Sequence, residues 1–100
     1  MAAYVIVDIT GMKDPDGLQH YREQVLPLIE EYGGRYLAVT DAIQALEGNW
    51  TPGFVVILEF ESMERAREFY DCPAYQPLKL LRQQSIDNNV VTVDGAIAPI

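Results

Sequence analysis

The run Phe54-Val55-Val56-Ile57-Leu58-Glu59-Phe60 limits most strongly what this chain can become. It follows the turn-forming pair Pro52-Gly53 and is built almost wholly from Val, Ile, Leu and Phe. In a strand, successive side chains point to opposite faces, so a run that is apolar on both sets must be covered on both. That places it in the middle of a sheet. Its one charged residue is Glu59, and a carboxylate in such a strand calls for a partner or a task.

The rest of the chain has to supply the cover. One hundred residues make a single domain, 1–100, small enough that pairing with a second copy is a common way to complete the core. Fifteen acidic against seven basic residues give a net charge of -8, which argues against a nucleic-acid partner and against an anionic membrane surface. The lone Cys72 leaves no intrachain disulfide, the N-terminus lacks the basic-then-apolar pattern of a signal peptide, and no apolar run approaches the ~20 residues of a membrane span. The expectation is a soluble cytoplasmic protein.

Residues 3–10 read as a first strand in which Ala3, Val5, Val7 and Ile9 form a purely apolar set that should meet helices, while Tyr4, Ile6, Asp8 and Thr10 point the other way. Asp14 and Pro15 fit the N-cap and first position of a helix whose apolar stripe is Leu18, Tyr21, Val25, Leu28, Ile29 and Tyr32. Pro27 should kink it, and Gly33-Gly34 should end it. Residues 35–40 form a second strand, and residues 41–46 can continue its ladder after a bulge or turn. Residues 47–53 are rich in turn formers. After the central strand, Ser62 caps a helix that buries Met63, Ala66, Phe69 and Tyr70. Asp71-Cys72-Pro73 breaks it, and a third helix from Pro73 turns Tyr75, Leu78, Leu81 and Leu80 inward. Residues 90–93 are the last strand, and residues 96–100 form an apolar tail expected to dock on a partner or beside the helices.

The order β-α-β-β-α-(α)-β is that of the ferredoxin-like α+β sandwich, βαββαβ. Strands one and three are expected side by side in the middle and parallel, with helices on one face of the sheet. The other face, with Tyr4, Ile6, Val55, Ile57 and Val91, is too apolar for water, and a second copy of the same sheet is its simplest cover.

Several stretches resemble one family of small bacterial proteins: residues 3–9 (AYVIVDI), 32–37 (YGGRYL), 46–50 (LEGNW), 56–60 (VILEF), 62–66 (SMERA) and 70–76 (YDCPAYQ). This family is catalogued as a domain of unknown function within the dimeric α+β barrel superfamily. The resemblance spans nearly the whole chain. It implies a ferredoxin-like protomer that pairs sheet to sheet into a barrel-like homodimer, and it implies no particular reaction. Distant members include cofactor-free monooxygenases, muconolactone isomerases, chlorite dismutases and haem-degrading enzymes, so the fold alone does not choose a function. Similar proteins carry a small residue, often Ser, at the position of Cys72, which argues against a catalytic thiol.

Asp8 and Glu59 are the candidate catalytic pair. With strands one and three parallel, both would lie near the same sheet edge on the face opposite the helices, and two carboxylates held together can be tuned for acid or base work. The alternative is that each only pairs with Arg35 or a backbone donor at its strand end. Arg35 and Tyr36 start the second strand across from Glu59, where one of them could bind a substrate, and where Arg35 could equally just neutralise Glu59. Trp50, in the loop, could cover a pocket mouth, anchor a partner subunit or pack beneath its own loop. His20 sits off the helical stripe, so a solvated position is expected. One His and one Cys far apart offer no metal-ligand spacing, and no nucleotide-binding or nucleophile-elbow motif is present, so no metal or cofactor is expected. Two readings follow: a homodimeric, cofactor-free enzyme using Asp8 or Glu59 on a small organic substrate, or a non-catalytic ligand-binding or interaction module. A cavity reached by Asp8, Glu59 and Tyr36 would separate them.

Overall fold

The computed structural model describes residues 1–99. The chain runs β1 (Ala3–Met12), α1 (Pro15–Glu31), β2 (Arg35–Thr40), β3 (Phe54–Phe60), α2 (Met63–Asp71), α3 (Tyr75–Ser85) and β4 (Ile86–Asp94). The strands form one sheet in the order β2-β3-β1-β4, with the helices on one face. This is the ferredoxin-like α+β arrangement.

Local chemistry sets the helix ends. Asp14 Oδ1 accepts from the Gly17 N–H at 3.1 Å, and Ser62 Oγ accepts from the Arg65 N–H at 3.1 Å, so each satisfies a donor of a first turn. At the end of α1, Gly33 takes φ +78°, and the Gly34 and Gly33 N–H groups donate to Ile29 and Glu30 oxygens at 2.8 and 3.0 Å. That pair of bonds is the Schellman closure, which favours glycine in the left-handed position. Gly34 is fixed by space instead: a Cβ there would lie 2.6 Å from the Phe60 ring. The core beneath the helices holds Phe60, Ile29 and Val25, all essentially buried, with Ala3, Val5, Leu58, Ala66, Phe69 and Tyr75 around them.

The central pair differs from expectation in direction. β1 and β3 are adjacent, but antiparallel. The reason lies in the connections. The crossover through α1 leaves β2 parallel to β1 with one strand's width between them. β3 then returns from β2 in the opposite sense and fills that gap, so it must oppose β1. Asp8 consequently faces Val55, while Glu59 faces Tyr4.

Smaller departures have local causes. β1 runs on to Met12 past a register shift between Ile9 and Gly11, which lets β4 begin directly from α3 at Ile86 rather than at Val90. α3 starts at Tyr75 rather than Pro73. Residues 41–46 do not extend the ladder; Thr40 Oγ1 accepts from the Ala42 N–H at 2.9 Å and turns the chain away, and the irregularity falls between Tyr36 and Ala38 instead. Pro27 lies inside α1, which runs unbroken through it. In the tail, Gly95 donates to the Ala2 carbonyl at 2.8 Å, but Ile97 is 96% exposed, so the tail does not dock beside this protomer's helices. Ile100 lies outside the described residues.

Candidate functional site

Cross-strand register sorts the open face of the sheet into three rows. Arg35, Glu59, Tyr4 and Val93 form one; Ala38, Ile57, Ile6 and Val91 the next; Thr40, Val55, Asp8 and Asn89 the third. The middle row is wholly apolar and the carboxylates sit in the outer rows. The structure therefore corrects the expected Asp8–Glu59 pair: four strand positions, roughly 13 Å, separate them, too far to share a proton.

Each carboxylate has its own partner. Glu59 Oε1 accepts from Arg35 Nε and Nη2, both at 2.8 Å, so the residue that neutralises it is Arg35. Tyr36 points to the opposite face, across from Leu58. Asp8 Oδ2 accepts from the Trp50 indole N–H at 3.1 Å, which ties the residue 41–53 loop to the open face, while the ring stays 63% exposed. Asp8 Oδ1 is buried with no hydrogen-bond partner among the described residues. Asp8, Glu59, Arg35 and Trp50 are absent from the linings of the two cavities described next. His20 is exposed and bonds Gln24, and Cys72 is buried in the core. Among the described residues no group of three or more His, Cys, Asp and Glu side chains is placed to hold a metal ion.

The cavities are on the other side, between sheet and helices. One of about 590 Å³ reaches from Val5, Leu58 and Val90 on the sheet to Ala66, Phe69 and Tyr70 on α2. A second, of about 250 Å³, lies under α1 between Leu18, Tyr36, Val39 and Val56. Ligand pockets span about 300–1,000 Å³, so the larger is of ligand size by itself. Both are lined by Val7, Leu58, Tyr21 and Arg82, so they meet at those four residues.

A polar cluster stands at that junction. Tyr75 and Arg82 are seven residues apart on α3, two helical turns, and so share a face; Tyr21 comes from the apolar stripe of α1. The Tyr21 and Tyr75 hydroxyls are 2.8 Å apart, and Arg82 Nε donates to the Tyr75 oxygen at 3.3 Å. Arg82 is 4% exposed and, among the described residues, forms no ion pair. Burial pushes the Tyr21 phenol far above its ordinary range, with Tyr75 adding to the shift, and burial also raises Tyr36. Burial works against the Arg82 charge, but the Tyr75 and Tyr21 oxygens outweigh it and leave its pKa raised. At neutral pH the cluster therefore holds a permanent cation and a protonated Tyr21 phenol, with a protonated Tyr36 in the lining of the smaller cavity. Such donors can hold an oxygen atom and stabilise negative charge on it.

The sequence alone does not single out this cluster: Tyr21 and Tyr75 lie on apolar helical stripes, as packing residues do, and Arg82 belongs to no motif. The available signal was the Tyr75-to-Arg82 spacing, which puts a cation on the inward face of an apolar helix.

A ferredoxin-like sheet with helices on one face and a ligand-sized, donor-lined cavity between the layers defines the class. The chain belongs to the family described as Domain of unknown function (DUF1330), which it matches over residues 2–96. No curated protein matches it significantly. Among solved structures it is similar to RPA0582 of Rhodopseudomonas palustris, a protein of unknown function, at 18% identity and a TM-score of 0.74 over 98% of this chain and 84% of that one. It is also similar to SnoaB of Streptomyces nogalater, described as a cofactor-independent oxygenase, at 11% identity and a TM-score of 0.65 over 97% and 94%. A dimeric protein of unknown function with a ferredoxin-like fold from Bacteroides fragilis matches at 11% identity and a TM-score of 0.59 over 93% and 95%. At such identities the likeness is one of fold.

Proposed function

We propose that this protein binds a small organic molecule in the cavity between its helices and its sheet, and that it works as a homodimer joined through the open sheet faces. The observation that carries the first part is the buried Arg82–Tyr75–Tyr21 cluster at the meeting point of the two cavities. A cation removed from water without a carboxylate costs several kcal/mol, and a bound ligand oxygen offsets that cost. The apolar Ala38-Ile57-Ile6-Val91 row supports the second part, as does the dimeric neighbour from Bacteroides fragilis. The single, buried, unpaired cysteine fits a cytoplasmic setting, and the net charge of -8 speaks against nucleic acid as partner.

Catalysis without a cofactor is a second reading of the same site, favoured by one observation: the cluster is made of donors, the kind of set that stabilises an oxyanion as it forms. In that reading Arg82 and the phenols carry the chemistry. Glu59 is held by Arg35 and Asp8 by Trp50, on the far face.

A thermal-shift screen of small organic molecules tests the binding reading, run in parallel on the wild type and on Val90→Phe, whose larger side chain fills part of the lining. Hits that raise the melting temperature of the wild type and not of Val90→Phe are expected. Hits shared equally by both proteins would place binding elsewhere.

A further inference from the structure

We propose that the ligand is an organic acid: its carboxylate sits on Arg82, and its apolar body fills the adjoining cavity. The inference rests on the cavity being the binding site, and adds the chemical class of what enters it.

Four observations lead there. Arg82 has five N–H donors, yet its one hydrogen bond to a described residue is from Nε to Tyr75, so a planar fork suited to a carboxylate is left without a protein acceptor. The two linings contain three arginines, Arg22, Arg67 and Arg82, against a single carboxylate, Glu64. Arg67 is already paired with Asp71 at 2.7 Å, and Glu64 forms no ion pair with Arg82. A protein with net charge -8 therefore keeps its interior cavity cationic, which selects an anion against the field of its own surface. Finally, apart from Thr92 the remaining lining is Val, Ile, Leu, Met, Ala, Phe and Tyr, which favours an apolar body and disfavours a small, strongly hydrated ion such as free phosphate.

The hydroxyls add direction. Tyr21 stays protonated well into alkaline solution, so it can donate to the second carboxylate oxygen. Its bond to Tyr75 then gives way to a charge-assisted one, which is shorter and stronger.

Matched acid and amide pairs test this: naphthoate with naphthamide, phenylacetate with phenylacetamide, octanoate with octanamide. Dissociation constants are measured by calorimetry on the wild type and on Arg82→Gln. In the wild type at least one acid is expected to bind about ten- to a hundredfold more tightly than its amide, the scale of a charged hydrogen bond. In Arg82→Gln that preference should vanish while the amide still binds. Acids and amides of equal affinity, or a preference that survives in Arg82→Gln, would overturn the anion assignment and leave the cavity as a binding site. No binding by any pair, together with an empty library screen, would remove both. If Arg82→Gln does not fold, NMR on the wild type decides: cross-relaxation between the acid's protons and Tyr21 and Tyr75 is expected, and its absence from a bound acid would overturn the assignment.

Discussion

The two faces of the sheet are made from the same strands and carry different work. On the helix face, Phe60, Leu58, Val5 and Ala3 are covered by α1, α2 and α3, and Tyr21, Tyr75 and Arg82 present donors to a cavity. On the open face, Ile6, Ile57 and Val91 lie in a row with no cover in the protomer, and the charged groups are paired in the outer rows. In the reading proposed above, the buried Arg82, hydrogen-bonded to Tyr75 and without a carboxylate among the described residues, makes the first face the one that binds a ligand. The apolar row on the second face fits the proposed packing of another chain there. Paired charges beside that row, Arg35 with Glu59 above all, fit the rim of such an interface.

Four substitutions would break or sharpen that contrast, taken from the largest effect to the smallest. Phe60→Ala empties the sealed face, where the ring packs 5.3 Å from that of Phe69. It should cost about 3–5 kcal/mol in chemical denaturation, whatever the oligomeric state. A loss below ~1 kcal/mol would mean that the helix layer is not the main core. Ile57→Asp places a charge in the middle of the open face and should weaken dimerisation about a hundredfold, near ~3 kcal/mol, with the monomer still folded. Light scattering across a dilution series reads this, and an undiminished dimer would show that the sheets do not meet there.

The third concerns pH. Because the folded-state pKa of Tyr21 lies above its unfolded value, the stability it contributes is fully present below the unfolded pKa of about 10 and is lost as pH rises above it. Each unit beyond that point should remove about 1.4 kcal/mol per such phenol. Tyr21→Phe should therefore flatten the alkaline limb of a denaturation-versus-pH curve, and an unchanged limb would mean that Tyr21 is not shielded. Arg35→Ala should do least. The Arg35 side chain is 69% exposed, so breaking its bond to Glu59 should change stability by less than about 1 kcal/mol. A much larger loss would reveal that the dimer buries the pair.

By itself the sequence determined the elements and the sorting of side chains between faces. Asp14, Ser62 and Gly33 act on their own turns, and the alternation in β1 and β3 separates Val5 and Leu58 from Ile6 and Ile57 whatever lies beyond the strand. Local rules carry that information. What they do not carry is which way neighbouring strands run. Asp8 and Glu59 make a pair only if β1 and β3 run parallel; the path through α1 and the return from β2 to β3 reverse one of them and set the carboxylates at opposite ends. The same limit hid the candidate site. Tyr21 and Arg82 are 61 positions apart, and only the packing of α1 against α3 brings them to one cavity. Whether a cation on an apolar stripe meets a carboxylate or open space depends on every element that packs around it, and the tertiary structure alone decides that.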